Sequence, residues 1–118
     1  MNLPVPAAVA EVTGASFAQN VLATSHERLV LVDVWAAWCG PCKALAPLLE
    51  EVARVEGERT AVFKLDADAE PELTAQLEVR ALPTILFYRR GEIVDRLVGL
   101  HAVAAIRARI EALEAAAA

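Results

Sequence analysis

The chain has 118 residues, 57% of them apolar and 23% charged, with a mean hydropathy of +0.42. A chain of this length can bury roughly two-thirds of its unfolded surface without a staple, and this composition excludes a disordered polymer. The net charge of −5, with no basic cluster beyond Arg89-Arg90, speaks against a nucleic-acid or anionic-membrane surface, and no apolar run approaches spanning length.

The start, MNLPVPAAVAEV, lacks the positive n-region and apolar core of a secretory signal. A cytoplasmic protein is therefore expected, as one domain over 1–118 with its core at about 9–114. After a loose, Pro-bearing start, VAEVT (9–13) reads as a short strand. GASFAQNVLAT reads as a helix capped by Thr13, with Phe17, Ala18 and Val21 facing inward. LVLVDVW (29–35) is a near-continuous, Val-rich apolar run, the pattern of a parallel strand covered on both faces, and it should be central. Asp33 is odd there, because an isolated carboxylate in such a run is costly unless it is neutral or paired.

From Cys39 to about Glu56, Leu45, Leu48, Leu49 and Val52 form one helical stripe that stops near Gly57, with a kink expected at Pro47. TAVFKLDAD (60–68) gives another strand, and PELTAQLEV a short helix with Pro71 in its first turn. Strand, helix, strand, helix implies parallel crossovers. TILFY and EIVDRLVG, separated only by RRGE, then predict an antiparallel hairpin turning at Gly91. AVAAIRARIEALEA closes the chain as a helix with Val103, Ile106, Ile110 and Leu113 on one face and an alanine tail expected to fray. The expected fold is α/β: a mixed sheet, parallel in its first half and antiparallel in its C-terminal hairpin, with helices on both faces.

Both cysteines of the chain lie in WCGPC (38–42). A zinc site needs four ligands, and the only histidines, His26 and His101, are separately placed, so no metal is expected. A c-type haem site would need histidine where Lys43 stands. Two readings are left: a pair of buried inert thiols, or a redox dithiol following a βαβ-type strand. Only the second gives a reason for both residues to sit at a helix start. There Cys39 meets the unsatisfied N–H groups and positive dipole end that favour a thiolate, so it should attack. Cys42, one turn along with its sulfur expected deeper, should resolve the mixed disulfide. Gly40 and Pro41 add no positive charge, and Pro41 removes an N–H donor. Thiolate stabilisation should therefore be modest and the pair should act as a reductant.

VDVWAAWCGPCKALAP closely resembles the active-site segment of the thioredoxin family, and VRALPT, RRGE and LVGLH resemble its downstream segments in the same order. The likeness covers about Val9 to Leu113. It implies the thioredoxin fold and a protein-disulfide reductase that holds no cofactor. It further implies action as a monomer on disulfide-containing client proteins and re-reduction by a flavin-dependent thioredoxin reductase. It casts Asp33 as the buried carboxylate that takes a proton from Cys42, Lys64 as the lysine near that carboxylate, and Pro83 as a cis-proline facing the disulfide. Trp38, Gly40, Pro41, Leu82, Pro83, Val98, Gly99 and Leu100 would form an apolar rim where an extended client strand docks by main-chain hydrogen bonds. Read without the family, Asp33 could be an edge or loop residue, Lys64 a snorkelling strand lysine, and Leu82 and Val98 core. The chain departs from the family at Ala37, Ala81 and Leu100 and at Leu77-Glu78, which replace a frequent Tyr-Gly pair. Glu78 should need a backbone conformation that glycine takes more easily, and Leu100 is larger than the usual rim residue. Two rival functions are a redox partner dedicated to one client and a non-redox peptide-binding module.

Overall fold

The Val-rich run at 29–35 becomes β2 (Leu29–Trp35), the middle strand of five in a computed structural model that describes residues 9–117. β1 (Ala10–Val12) and β3 (Thr60–Asp66) lie to one side, β4 (Thr84–Arg89) and β5 (Glu92–Val98) to the other, in the order β1-β3-β2-β4-β5. β3 is parallel to β1 and β2, whereas β4 is antiparallel to β2 and β5. The sheet is thus mixed as expected, and its parallel half is joined by helical crossovers. The hairpin turns through Arg90 and Gly91, both at positive φ.

Burial on both faces explains why β2 is apolar almost throughout. Leu29 and Leu31 pack with Ile85 and Phe87 under α1 (Gly40–Glu56) and α3 (Val103–Ala117), through Leu45, Leu49, Ile106 and Ile110. Val30, Val32 and Val34 face the other way, onto Phe17, Val21 and the flank of α2 (Pro71–Gln76). Alternation places Asp33 on the α1 face. α1 runs through Pro47 as one element, and α3 stays helical along its alanines to Ala117.

The segment expected to be a helix from Gly14 is irregular. Thr13 closes only the turn before it, accepting from the Ser16 N–H at 3.3 Å while Ser16 Oγ accepts from the Thr13 N–H at 2.9 Å; the helical residues are capped by Phe17, which makes no side-chain cap bond. The chain then makes a π-helical turn at Ala18–Leu22, with Ala23 N–H bonded to Ala18 C=O, and a 3₁₀ turn at Thr24–His26. Phe17 and Val21 are buried as expected, but Ala18 is exposed, correcting its inward assignment. The Pro-bearing start before residue 9 lies outside the described residues.

Candidate active site

β2 ends at Trp35, whose C=O accepts from Ala67 N–H at 2.8 Å, and a three-residue loop brings the chain to Cys39, the N-cap of α1. Cys39 has extended backbone angles, and its Sγ accepts from the Cys42 N–H at 3.2 Å. Its sulfur thus takes the place of the usual Ser or Asp oxygen and satisfies one of the orphan donors of the helix start. Pro41 falls in the first turn, where its missing N–H costs nothing. Cys39 and Cys42 are joined as a disulfide with Cα atoms 5.2 Å apart. As whole residues the two are covered alike: Cys39 is 4% exposed and Cys42 3%. What distinguishes the sulfurs is the hydrogen bond and helix end at Cys39.

Asp33 is buried, and among the described residues its Oδ1 has no hydrogen-bond partner. Lys64 is its register partner on β3, but the Lys64 Nζ lies 5.6 Å from the Trp35 ring centroid. No Asp33–Lys64 ion pair forms within 4.0 Å. Burial pushes the Asp33 carboxyl from 3.8 up to about 7, and the Lys64 ammonium pulls back only in part. A cavity of about 110 Å³ adjoins the carboxylate, lined by Asp33, Trp35, Cys42, Lys43, Ala46 and Lys64. Cys42 reaches this cavity; Cys39 does not line it. A carboxyl that titrates near neutrality and shares a cavity with one thiol can exchange a proton with it.

The residues expected to form the rim come from separate segments of the chain. Trp38, Val98 and Leu100 are exposed, and Trp38 is steadied by its Nε1–H donating to Asp68 Oδ2 at 3.0 Å. Gly40 and Pro41 are exposed beside them. The Leu82–Pro83 peptide is cis. Leu82 packs against Ala36 and the two cysteines, while Pro83 is itself buried and its C=O accepts from Gly99 N–H at 2.8 Å. Gly99 has φ of 92°, which only glycine adopts without strain. The conformation expected for Glu78 is also found, at φ 58°.

Sequence reading missed Asp68, Glu56 and Arg96. Asp68 and Arg96 work through partners 30 and 19 positions away, and Glu56 through Arg107, 51 positions on, as well as the nearby Arg59.

The family model described as Thioredoxin matches residues 8–112. A thioredoxin of Mycobacterium tuberculosis is 46% identical over 99 residues, 84% of each chain. A thioredoxin of Listeria monocytogenes is 42% identical over 91 residues, 77% of this chain and 84% of that one. A bifunctional thioredoxin reductase/thioredoxin of Mycobacterium leprae is 46% identical over 96 residues, 81% of this chain but only 20% of that protein. Among solved structures, the crystal structure of Malassezia sympodialis thioredoxin superposes with a TM-score of 0.80 at 28% identity, covering 94% of this chain and 95% of that one.

Proposed function

This chain belongs to the thioredoxin family and is a protein-disulfide reductase working through the Cys39–Cys42 dithiol–disulfide couple, and from that premise we propose how its residues divide the work. The Cys39 thiolate attacks one sulfur of a client disulfide, forming a Cys39–client bond and releasing the other client sulfur as a thiolate. Cys42 gives its proton to Asp33 and attacks the Cys39 sulfur. The Cys39–Cys42 bond closes, the second client thiolate leaves, and two electrons have passed to the client. Lys64 keeps the Asp33 carboxyl from rising further and so sets the pH at which it can accept. Gly40 and Pro41 leave the Cys39 thiolate only modestly stabilised, which favours donation of electrons. Trp38, Leu82, Pro83, Val98, Gly99 and Leu100 dock the client strand.

The observation that carries this reading is that the cavity beside Asp33 is lined by Cys42 and not by Cys39. In the further reading, the protein is one domain, acts as a monomer in the cytoplasm as an electron carrier, and is re-reduced by a thioredoxin reductase. The fused reductase/thioredoxin of M. leprae supports that last pairing. No helix among the described residues is long and apolar enough to cross a membrane.

Trapping tests the division of roles. Cys42→Ser should retain clients as mixed disulfides on Cys39, because attack survives and resolution is lost, whereas Cys39→Ser should retain almost none. Equal trapping by the two variants would overturn the assignment. Insulin reduction with dithiothreitol, present in the parent and absent in Cys39→Ser, separates this reading from a peptide-binding module without redox activity.

A further inference from the structure

α2 ends in a Schellman motif. Glu78 N–H bonds to Ala75 C=O at 3.0 Å and Val79 N–H to Thr74 C=O at 3.2 Å, with Glu78 at the left-handed position between them. Glycine is the usual residue there, because a Cβ in that conformation crowds the backbone. Glutamate is strained, so the turn needs support from elsewhere. That support comes from β5: Arg96 Nη2 donates to the C=O of Leu77, the residue before Glu78, at 2.7 Å. This is a charge-assisted bond to a helix-end carbonyl that lacks an intrahelical donor.

The segments on either side of this bond, the loop after α2 and β5, lead to the candidate docking rim. Four residues after Glu78 comes Leu82, followed by the cis bond to Pro83. Thr84 Oγ1 donates to Ala81 C=O at 2.6 Å, which braces the short loop between the turn and β4. On β5, Arg96 and Val98 share a face and pair across to Leu86 and Thr84 of β4, and Gly99 N–H holds Pro83 C=O. One guanidinium thus ties together the two segments that supply Leu82-Pro83 and Val98-Leu100.

We infer that Arg96 is a positioning residue for client docking: by holding the strained Leu77–Glu78 turn, it fixes the two halves of the rim relative to each other. This rests on the reading that the rim docks clients. Arg96 touches neither sulfur and should leave the reaction of the thiols with a small disulfide alone.

Single-turnover kinetics of the reduced protein, read by tryptophan fluorescence, would test it with two substrates, a disulfide-linked peptide and a small aromatic disulfide that needs no rim. Arg96→Ala should raise the half-saturating peptide concentration by roughly three- to tenfold, as loss of one charge-assisted hydrogen bond allows. The limiting rate and the small-disulfide rate should stay unchanged. Arg96→Lys should recover part of the loss. Glu78→Gly in the Arg96→Ala background should recover most of it, because glycine holds the turn unaided. An unchanged half-saturation, equal slowing of both substrates, or a loss that Glu78→Gly does not repair although the melting temperature returns would each overturn the inference. Pro83→Ala in parallel tests the rim itself: if it too leaves peptide half-saturation unchanged, the docking reading fails before Arg96 is at issue.

Discussion

Asp33 and Glu56 are acids buried to the same depth, 4% and 3% exposed, and the fold treats them in opposite ways. Glu56 ends α1 with both oxygens engaged: Oε1 lies 2.8 Å from Arg59 Nη2, and Oε2 lies 2.8 Å from Arg107 Nε on α3. Its charge is matched where it stands, and it fastens the two helices together. Asp33 has one oxygen without a partner and a lysine that turns its ammonium over Trp35 instead. A chain can bury a carboxylate by pairing it or by making it easier to protonate. The first kind belongs to the scaffold. The second keeps a proton-accepting group at neutral pH, and it is the one that shares a cavity with a redox sulfur.

The contrast breaks most visibly if Asp33 is made unable to ionise. Asp33→Asn removes the proton acceptor for Cys42, and turnover should fall on the order of 100-fold through slow resolution, with attack by Cys39 unimpaired. Unimpaired resolution in single-turnover kinetics would end the proposed role. The same variant should be the more stable protein at pH 8. Because the folded carboxyl is raised to about 7, the folded state holds a proton that the unfolded state has lost between pH 3.8 and 7. Parental stability therefore falls as pH rises through that window and levels off above it. Three units at ~1.36 kcal/mol each make the gain of Asp33→Asn up to ~4 kcal/mol at pH 8, vanishing near pH 4. Denaturant midpoints across pH would show it, and a parent more stable at pH 8 would reverse the sign.

Glu56→Ala should do the opposite and destabilise, by roughly 2–3 kcal/mol. The loss falls below that of a fully buried pair because the Arg59 and Arg107 side chains it strands are 66% and 36% exposed and can hydrate. Client reduction per folded molecule should be untouched. A change in resolution rate with no change in denaturant midpoint would abolish the distinction between scaffold and site. The smallest effect should come from Lys64→Met. With the ammonium gone, the upper end of the pH window over which stability is lost should move upward, while its lower end, set by the unfolded carboxyl, stays in place, since Lys64 now holds the folded Asp33 carboxyl down. A downward move would mean that Lys64 acts on Asp33 through something other than its charge.

How far these features could be read from sequence follows from the range of the contacts that make them. Asp33 was conspicuous because it interrupts Leu-Val-Leu-Val, a local pattern. The helix start that holds Cys39 was equally local, in a strand, a short loop and Pro41. Glu56 extends the stripe of Leu45, Leu49 and Val52 by one turn, yet at a charged helix end it reads as surface until Arg107, 51 positions on, folds over it. Resemblance alone pointed to the cis bond at Pro83, which no periodicity carries. The turn at Ala18–Leu22 misled for a related reason: its composition suits an α-helix, but the chain winds as a π-helical turn there and Ala18 is exposed.

The central claim, that the carboxyl buried beside Cys42 titrates near neutrality, can be read directly from the side-chain carboxyl carbon of Asp33 by ¹³C NMR across pH in the disulfide form. The inflection is predicted at about 7. An inflection near the ordinary aspartate value of about 3.9 would show a carboxyl that is solvated or ion-paired, and Asp33 could not then receive the proton of Cys42 at neutral pH in the way described.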